Sequence, residues 1–377
     1  MLWLYVGFVA FILALLALDL GVFHKEDKLD SVKAALGWSA LWISLGVAFS
    51  GLIYLGYEHH WLGLGTGVDT MATAHVGPDG VTYYNDGGTA AIKYLTGFFV
   101  EKSLAIDNIF VIAMIFTALA VPSMYQHRVL FWGILGALIM RGIMIGAGAA
   151  LITRFSWIIY VFGGFLILTG VKMLLLSGGE GDVSDNRLVR MIRRIIPITR
   201  RYHGHRFFVR AGSPEAEAPA TPGGTHEPDP VAAAAKKGAL LATPLFLALL
   251  LVEFTDVIFA VDSIPAIFAI TTDPFIVFTS NVFAILGLRS LYFALAGMMD
   301  RFRYLKPALA TVLVVIGGKM MTHGYLKAWL GEHFNFYVMG VVLGIITTGV
   351  VTSLFATRGG KGAGTDAPAT PNAPAQA

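Results

Sequence analysis

The chain has 377 residues, of which 56% are hydrophobic and 14% are charged, and its formal net charge is +3. A soluble core cannot absorb so much apolar sequence, so the composition predicts a membrane protein with several spans. The small net charge argues against nucleic-acid binding, and the absence of cysteine excludes disulfides, thiolate metal sites and cysteine nucleophiles.

Apolar windows long enough to cross a bilayer predict nine transmembrane helices, and therefore an all-α polytopic membrane protein. The windows lie near residues 2–23, 32–57, 91–120, 129–152, 157–176, 240–270, 274–298, 305–321 and 336–356. The first window has no preceding basic residue and carries Asp19 near its end, so we interpret it as a retained span and not as a signal peptide.

Two polar insertions separate groups of spans. The first, residues 58–90, is rich in Gly, Asp and Thr and contains His59, His60 and His75. It fits either a solvated loop or an outer surface that collects ions. The second, residues 178–239, opens with a basic stretch and continues with Pro, Ala and Glu.

The basic stretch, residues 186–210, has apolar residues at helical spacing among arginines. It fits an amphipathic helix on anionic lipid headgroups, or simply charge that sets topology. Residues 211–235 and the tail 358–377 have the composition of disordered segments. Lys and Arg concentrate in the loops on the side of this insertion, which predicts an outside N-terminus and a cytoplasmic C-terminus in the cell (inner) membrane.

The span 240–270 is apolar and nevertheless carries Glu253, Asp256 and Asp262. An aspartate at the centre of a transmembrane helix costs about 2.5–3.5 kcal/mol, which indicates that these acids work inside the membrane. Pro265 cannot donate to the Val261 carbonyl, so a free carbonyl oxygen is expected beside Asp262. Carboxylates and carbonyls together are ligands for hard cations.

The third and sixth spans align as an internal repeat. Glu101-KSLAI-Asp107-Asn108 matches Asp256-VIFAV-Asp262-Ser263, and the strings that end at Arg141 and Arg289, and at Met173 and Met320, match in the same order. Two three-span units, residues 91–177 and 240–323, must run in opposite directions because each has an odd number of spans. Acids six residues apart in a helix cannot share an ion, so we expect both helices to unwind at the site.

Glu101, Asp107, Asp256 and Asp262 are the predicted metal ligands, with Asn108, Ser263 and the Val261 carbonyl as neutral donors. Asn281 fits an interhelical hydrogen bond or a ligand. The alternative is that the acids only neutralise intramembrane bases, Lys102, Arg141, Lys172, Arg289 and Lys319, whereas Asp19 and Glu253 are further charges with structural or transport roles. An all-oxygen set favours Mn²⁺, Mg²⁺ or Ca²⁺ over zinc and copper.

The strings EKSLAIDNIFV and DVIFAVDSIPAIFAITTDPFIVFTSNVFAILGLRSLYFAL resemble the TerC/Alx family of membrane proteins. The resemblance implies nine spans and a fold similar to that of the lysine-exporter superfamily. It also implies an association with manganese export and with tellurium resistance. Asp107, Asn108, Asp262 and Asn281 lie within these strings.

We therefore predict an exporter of divalent cation, with Mn²⁺ favoured, driven by counter-movement of protons that exchange with metal on carboxylates. The protein is expected to be no enzyme and to hold no tightly bound cofactor. The alternative is a non-transporting membrane scaffold that aids metal loading or tellurite resistance. Anion handling through Arg141 and Arg289 is disfavoured because the deepest charges are acids.

Overall fold

The computed structural model describes residues 2–18, 32–155, 157–175, 191–192, 194, 196–213, 229–295, 304–330 and 334–359. This part of the chain is mostly helical. The helices are α1 (Leu2–Leu18), α2 (Val32–Glu58), α3 (Gly87–Ala118), α4 (Ser123–Arg154), α5 (Ile158–Leu175), α6 (Pro230–Ala234), α7 (Pro244–Phe268), α8 (Pro274–Ile285), α9 (Leu288–Leu295), α10 (Leu305–Leu330) and α11 (Phe334–Gly359). Two short antiparallel strand pairs are present. A hairpin pairs β1 (His75–Val76) with β2 (Thr82–Tyr83), and β3 (Phe208–Arg210) pairs with β4 (Leu240–Ala242).

Within the described residues, α2, α4, α5 and α7 are each long and apolar enough to cross a membrane. The pair α8 and α9, bent by 41°, makes a fifth candidate span. The helix α3 does not qualify, because Lys93, Glu101, Lys102 and Asp107 interrupt its apolar sequence. The structure therefore supports an all-α membrane protein with four or five candidate spans, and nine spans stay a prediction.

The helices expose apolar side chains and bury polar ones. Ile143 on α4 is 61% exposed and Leu168 on α5 is 66% exposed, whereas Glu101, Asp256 and Arg141 are buried. In water this arrangement would be unfavourable, but in a bilayer the exposed apolar side chains contact lipid and the bundle interior shelters the charges.

The helices of one predicted repeat unit pair with those of the other, and the first helix of each unit packs on the second helix of the other. The helix α3 packs on α8, α4 packs on α7, and α5 packs on α10. The contact between α5 and α10 is close because glycines allow the backbones to meet: a Cβ on Gly317 would lie 2.7 Å from the Gly163 carbonyl oxygen, and one on Gly170 would lie 2.7 Å from that of Ala310.

The break between α8 and α9 depends on Gly287 and Lys102. Gly287 has φ +75°, and a Cβ there would lie 2.6 Å from the Cβ of Trp42, so no other residue fits without strain. The buried Lys102 ammonium donates to the carbonyls of Ala284 and Leu286 at 2.9 and 2.8 Å. These carbonyls have lost helical partners at the break, and the lysine satisfies them.

The first polar insertion folds into a unit that we call the first cap, residues 59–86. It contains the β1–β2 hairpin and a 3-10 turn at Trp61–Gly63. Its outer residues are solvated, since His59 and His75 are exposed. Asp69 and Asn85 are fully buried, so the interpretation as a simple solvated loop is wrong for them.

The second insertion also contains a folded unit, the second cap, residues 196–213 and 229–242. Asp229 organises it by accepting from the backbone N–H groups of Arg200 and Arg201 at 2.7 and 2.8 Å, and of Val231 and Ala232 at 2.9 and 3.2 Å. The antiparallel strands β3 and β4 complete the unit.

The second cap corrects two expectations. The basic stretch is helical at 191–192 and 194, but from residue 196 onwards it forms a loop and then β3, so the long amphipathic helix is wrong. Disorder is also wrong for 211–213, for 229–235 and for 358–359 at the end of α11, whereas 186–190, 214–228 and 360–377 lie outside the described residues.

The expected unwinding of α3 and α7 is also wrong. Both helices continue through their acidic residues, and α7 continues through Pro265 until Phe268. Pro265 has no N–H to donate to the Val261 carbonyl, but it lies in the last turn of α7, so the helix loses this bond only just before it ends. The acids of one helix therefore keep their helical separation, which decides which of them can meet.

Candidate functional site

Arg141, near the middle of α4, is the centre of a buried ionic network that joins four helices. Its guanidinium donates to Glu101 on α3, to both carboxylate oxygens of Asp256 on α7 at 3.3 and 3.0 Å, and to Asn281 on α8 at 3.0 Å. Asn108 also donates to Asp256 at 3.0 Å. Two carboxylates compensate the burial of one guanidinium. Charge pairing is therefore confirmed for Glu101 and Asp256, and Asn281 makes an interhelical hydrogen bond.

A cavity of about 60 Å³ lies beside this network. At this volume it has room for roughly four water-sized molecules. Its walls combine both predicted repeat units: Glu101, Leu104, Ala105, Asp107 and Asn108 from α3, Arg141 from α4, Thr169 and Met173 from α5, Phe259, Asp262 and Ser263 from α7, and Leu313 from α10. The cavity thus brings Asp107 and Asp262, the aligned acids, to one space.

Several buried oxygens around the cavity have no hydrogen-bond partner within the described parts of the chain. They are Oε2 of Glu101, Oδ1 of Asn108 and Oγ of Ser263. A buried polar atom without a partner costs about 1–3 kcal/mol, so water or a cation in the cavity would relieve three such costs. Ser263 and Asn108 occupy equivalent places in the aligned strings.

Asp262 lies at the side of the cavity next to α5. Its carboxylate accepts from Thr169 at 3.3 Å, and Lys172, one turn further along α5, is near enough to interact with it electrostatically. Lys172 itself is exposed, so its charge acts at the edge of the site.

The predicted ligands are not gathered around one point. No group of three or more His, Asp or Glu side chains in the described residues is close enough to hold a metal ion. Arg141 holds Glu101 and Asp256 on one side, while Asp107 and Asp262 line the cavity. The metal-binding roles of these residues stay predictions.

The other predicted charges lie away from the cavity. Glu253 on α7 is half-buried against Gly136 of α4, and Arg289 on α9 is buried. Lys319 on α10 is buried and interacts electrostatically with Lys93 and Asp69. Asp19 lies outside the described residues.

Asp69 in the first cap was missed by sequence reasoning, although it is the most completely hydrogen-bonded acid in the described structure. Burial alone would raise its pKa, but the Lys93 ammonium, the Thr271 hydroxyl and the Thr272 amide hold the pKa of Asp69 well below its usual range. It is one of several acids in a polar loop, and no local pattern distinguishes it.

Asp273, the N-cap of α8, lies in the same buried region. Burial and the neighbouring charge of Asp69 raise the pKa of Asp273 to about 6. Its carboxylate accepts from the N–H groups of Phe275 and Ile276 at 3.0 and 3.4 Å. N-cap spacing before Pro274 could have indicated its local role, but not its proximity to Asp69.

Comparison with known proteins agrees with the aligned strings. Residues 86–361 match the family described as integral membrane protein TerC. The chain belongs to the TerC family. The match begins at the N-cap of α3 and includes both predicted repeat units, the second cap and α11.

Similar proteins extend along nearly the whole chain. An uncharacterized membrane protein of Myxococcus xanthus is 45% identical over 365 residues, which cover 97% of this chain and 96% of the relative. Alx of Escherichia coli strain K12, whose name carries a suggested role as a membrane-bound redox modulator, is 42% identical over 342 residues, with 89% and 92% covered. An uncharacterized membrane protein of Rickettsia bellii is 38% identical over 319 residues, with 85% and 88% covered. No solved structure matches the chain.

Proposed function

We propose that this TerC-family protein exports divalent metal cations, with Mn²⁺ as the favoured ion, in exchange for protons. One observation carries the proposal: Asp107 and Asp262, which occupy equivalent positions in the aligned strings, line the same intramembrane cavity. An acid in an apolar span is costly, and two that converge from different helices favour a shared ligand over two separate structural roles.

The charges around the cavity favour a cation. Four carboxyl groups, those of Glu101, Asp107, Asp256 and Asp262, stand against the guanidinium of Arg141 and the ammonium of Lys172 at the edge of the site. A divalent ion would offset the excess negative charge, and every available donor is an oxygen. Oxygen donors suit Mn²⁺, Mg²⁺ and Ca²⁺ alike, and the resemblance of the signature strings to a manganese-export family favours Mn²⁺.

Proton coupling and alternating access are part of the proposal. We propose nine spans with two inverted three-helix units. The contacts of α5 and α10 support this, because Gly170 against Ala310 and Gly317 against Gly163 exchange places under the same shift of 147 residues. The helices α3 and α7 also support it. The first cap contacts the turn at the C-terminal end of α7 and leads directly into the N-terminal end of α3, so the two helices run in opposite directions.

The orientation and the partners follow from the loop charges. We propose that the first cap faces outside and that the second cap and the C-terminus face the cytoplasm of a cell with this protein in its inner membrane. One face of the β3–β4 strand pair carries the exposed residues Phe208, Arg210 and Leu240. Phe208 packs on Phe246 at the first turn of α7. An apolar and basic face at a helix end favours contact with anionic headgroups.

No tightly bound cofactor and no catalysed reaction belong to the proposed function. The suggested redox role of Alx, if it extended to this chain, would not act through a cysteine thiol, because the 377 residues contain none. The alternative function is a non-transporting scaffold for metal loading or tellurite resistance, which predicts no ion flux through the purified protein.

Purified protein in liposomes tests the proposal. Uptake of Mn²⁺, Mg²⁺, Ca²⁺ and Zn²⁺ is measured with and without an opposing pH gradient. We expect gradient-driven Mn²⁺ uptake that falls at least about tenfold in both Asp107→Asn and Asp262→Asn, a loss equivalent to about 1.4 kcal/mol. Asp79→Asn is the control, because this exposed acid bonds only within the first cap.

Pairing Asp262→Asn with Lys172→Gln separates a ligand from a counter-ion, because Lys172 is the base that interacts electrostatically with Asp262. If Asp262 only neutralised Lys172, removing the base as well would restore flux. We expect no restoration, because the double variant still lacks the carboxylate proposed to bind the ion. Absence of flux in the wild-type protein would favour the scaffold, and wild-type flux in either single variant would remove the acid from the site.

A further inference from the structure

A buried polar cluster fastens the first cap to the helices beneath it. The Asp69 carboxylate, 0% exposed, accepts from Lys93 Nζ at 2.8 Å, Asn85 Nδ2 at 3.0 Å, Thr271 Oγ1 at 2.5 Å and the Thr272 amide at 3.0 Å. Lys93 also donates to Asn85 Oδ1 at 2.7 Å. One side chain therefore joins the cap to α3 and to the turn between α7 and α8.

This cluster lies at one end of the cavity-forming helices. Lys93 precedes Glu101 by eight residues in α3, and Asp273 precedes Asn281 by eight residues along α8. At the helical rise, both separations are about 12 Å. The cluster therefore lies two turns from the ionic network on two different helices, and in the same direction.

Between the cluster and the network, α3 and α8 are in close contact. A Cβ on Gly97 would lie 3.0 Å from Oγ of Ser280 and 3.8 Å from Ile267 of α7. Such packing leaves no room for a hydrated ion between α3 and α8 at this level while the two helices stay together. The attachment at Asp69 holds both helix ends and so maintains this contact.

We propose that Asp69 is a positioning residue of a gate, which holds the first cap and the ends of α3 and α8 closed over the first-cap end of the cavity. The proposal rests on the export function, because a gate concerns an ion that leaves the cavity. Lys93 supplies the positive charge that keeps the cluster closed. Opening requires the Asp69 contacts to the turn at Thr271 and Thr272 to separate.

Cysteine labelling tests the gate directly, because the chain contains no native cysteine. Leu104→Cys puts a thiol in the cavity wall on α3 without replacing a predicted ligand. A membrane-impermeant thiol reagent is added to sealed vesicles of either orientation. In Asp69→Asn we expect labelling from the first-cap side to be at least about tenfold faster than in the Leu104→Cys background, with labelling from the second-cap side unchanged.

Thr271→Val is the milder second variant, in case Asp69→Asn does not reach the membrane. It removes one hydroxyl contact to Asp69 and should raise first-cap labelling by a few-fold. Asp79→Asn is the matched control in the same cap, because its side chain bonds to Val81 and Tyr83 within the cap, and its labelling should stay at the background rate.

Two results would overturn the gate: unchanged labelling from the first-cap side, or an equal increase from both sides, which a purely structural role for Asp69 predicts. Labelling does not depend on flux. The expected labelling without Mn²⁺ movement in liposomes would contradict the proposed export function. Mn²⁺ flux with unchanged labelling would contradict only the gate.

Discussion

The two caps occupy corresponding places in the chain but are attached very differently. Each precedes the first helix of a predicted repeat unit, and each docks on the turn after the first helix of the other unit. The first cap reaches the α7–α8 turn through the fully buried Asp69. The second cap reaches the α3–α4 turn through a hydrogen bond from the Tyr202 hydroxyl to the Leu119 carbonyl at 2.8 Å and through the contact of Tyr125 with His205.

The difference concerns how much each attachment resists opening. The first cap uses charges that are expensive to separate once buried. The Tyr202 bond of the second cap is neutral and only half-buried. Arg128 adds a cation–π contact over Phe207 at 5.2 Å, on an exposed surface. The buried charges at Asp69 therefore make the first-cap end of the bundle costly to open.

The largest expected effect comes from Lys93→Met, which removes the cation that is hydrogen-bonded to the buried Asp69 carboxylate. We expect a loss of about 3–5 kcal/mol in the free energy of unfolding. In the double variant with Asp69→Asn much of the lost stability should return, because the asparagine is uncharged and its single amide oxygen can still accept from the Thr272 N–H. Chemical unfolding in lipid nanodiscs measures the free energy of unfolding of the wild-type protein, the single variants and the double variant. Losses in the single variants that add up in the double variant would show that the two residues do not interact.

Asp229→Ala is the corresponding change in the second cap. It removes the acceptor of the backbone N–H groups of Arg200 and Arg201, at a cost of about 1–3 kcal/mol. We expect faster trypsin cleavage after these arginines while the unfolding of the helices stays unchanged. Asp79→Ala in the first cap serves as the control, and a general loss of helix stability would contradict a local role.

The pH dependence of the first cap depends on Asp273, whose pKa is about 6 in the closed structure. A carboxyl whose pKa is raised in the closed state favours that state most when the pH is below the ordinary carboxyl pKa of about 4. This contribution is lost as the pH rises towards 6. One linked proton gives at most about tenfold per pH unit. The first cap should therefore be held more tightly at pH 5 than at pH 7.

A spin label on Val76→Cys, an exposed position of the first cap, reports this change as mobility. Asp273→Asn should remove the pH dependence, although Asp69, Tyr57 and Tyr5, which interact with Asp273, remain in place. A pH dependence that persists in this variant would assign it to another group.

The smallest effect is expected for Tyr202→Phe, which removes one hydroxyl bond worth about 0.5–1.5 kcal/mol. Hydrogen exchange should increase a few-fold within residues 196–213 and stay constant in the first cap. Tyr94→Phe is the matched control, since the Tyr94 hydroxyl donates to the Gly46 carbonyl at 3.0 Å, far from the second cap. Faster exchange in both caps would mean that they are coupled.

Local sequence was sufficient for the class of protein and for the acids of the cavity. Hydropathy is a sum over neighbouring residues, so the apolar helices can be read from one dimension. Asp107 and Asp262 stand out because they interrupt apolar helices, and their alignment predicted that they would lie near each other. The family followed from the same strings.

The tertiary structure alone decided how the charges pair. Arg141 meets Glu101, Asp256 and Asn281 from distant parts of the chain, and Asp69 meets Thr271 across 202 residues. The continuity of α7 through Pro265 was also decided there, because the proline falls in a last turn whose limit depends on the following turn. A residue's type and neighbours predict that a charge needs a partner, but which partner it finds depends on which helices pack side by side, and that is a property of the folded chain.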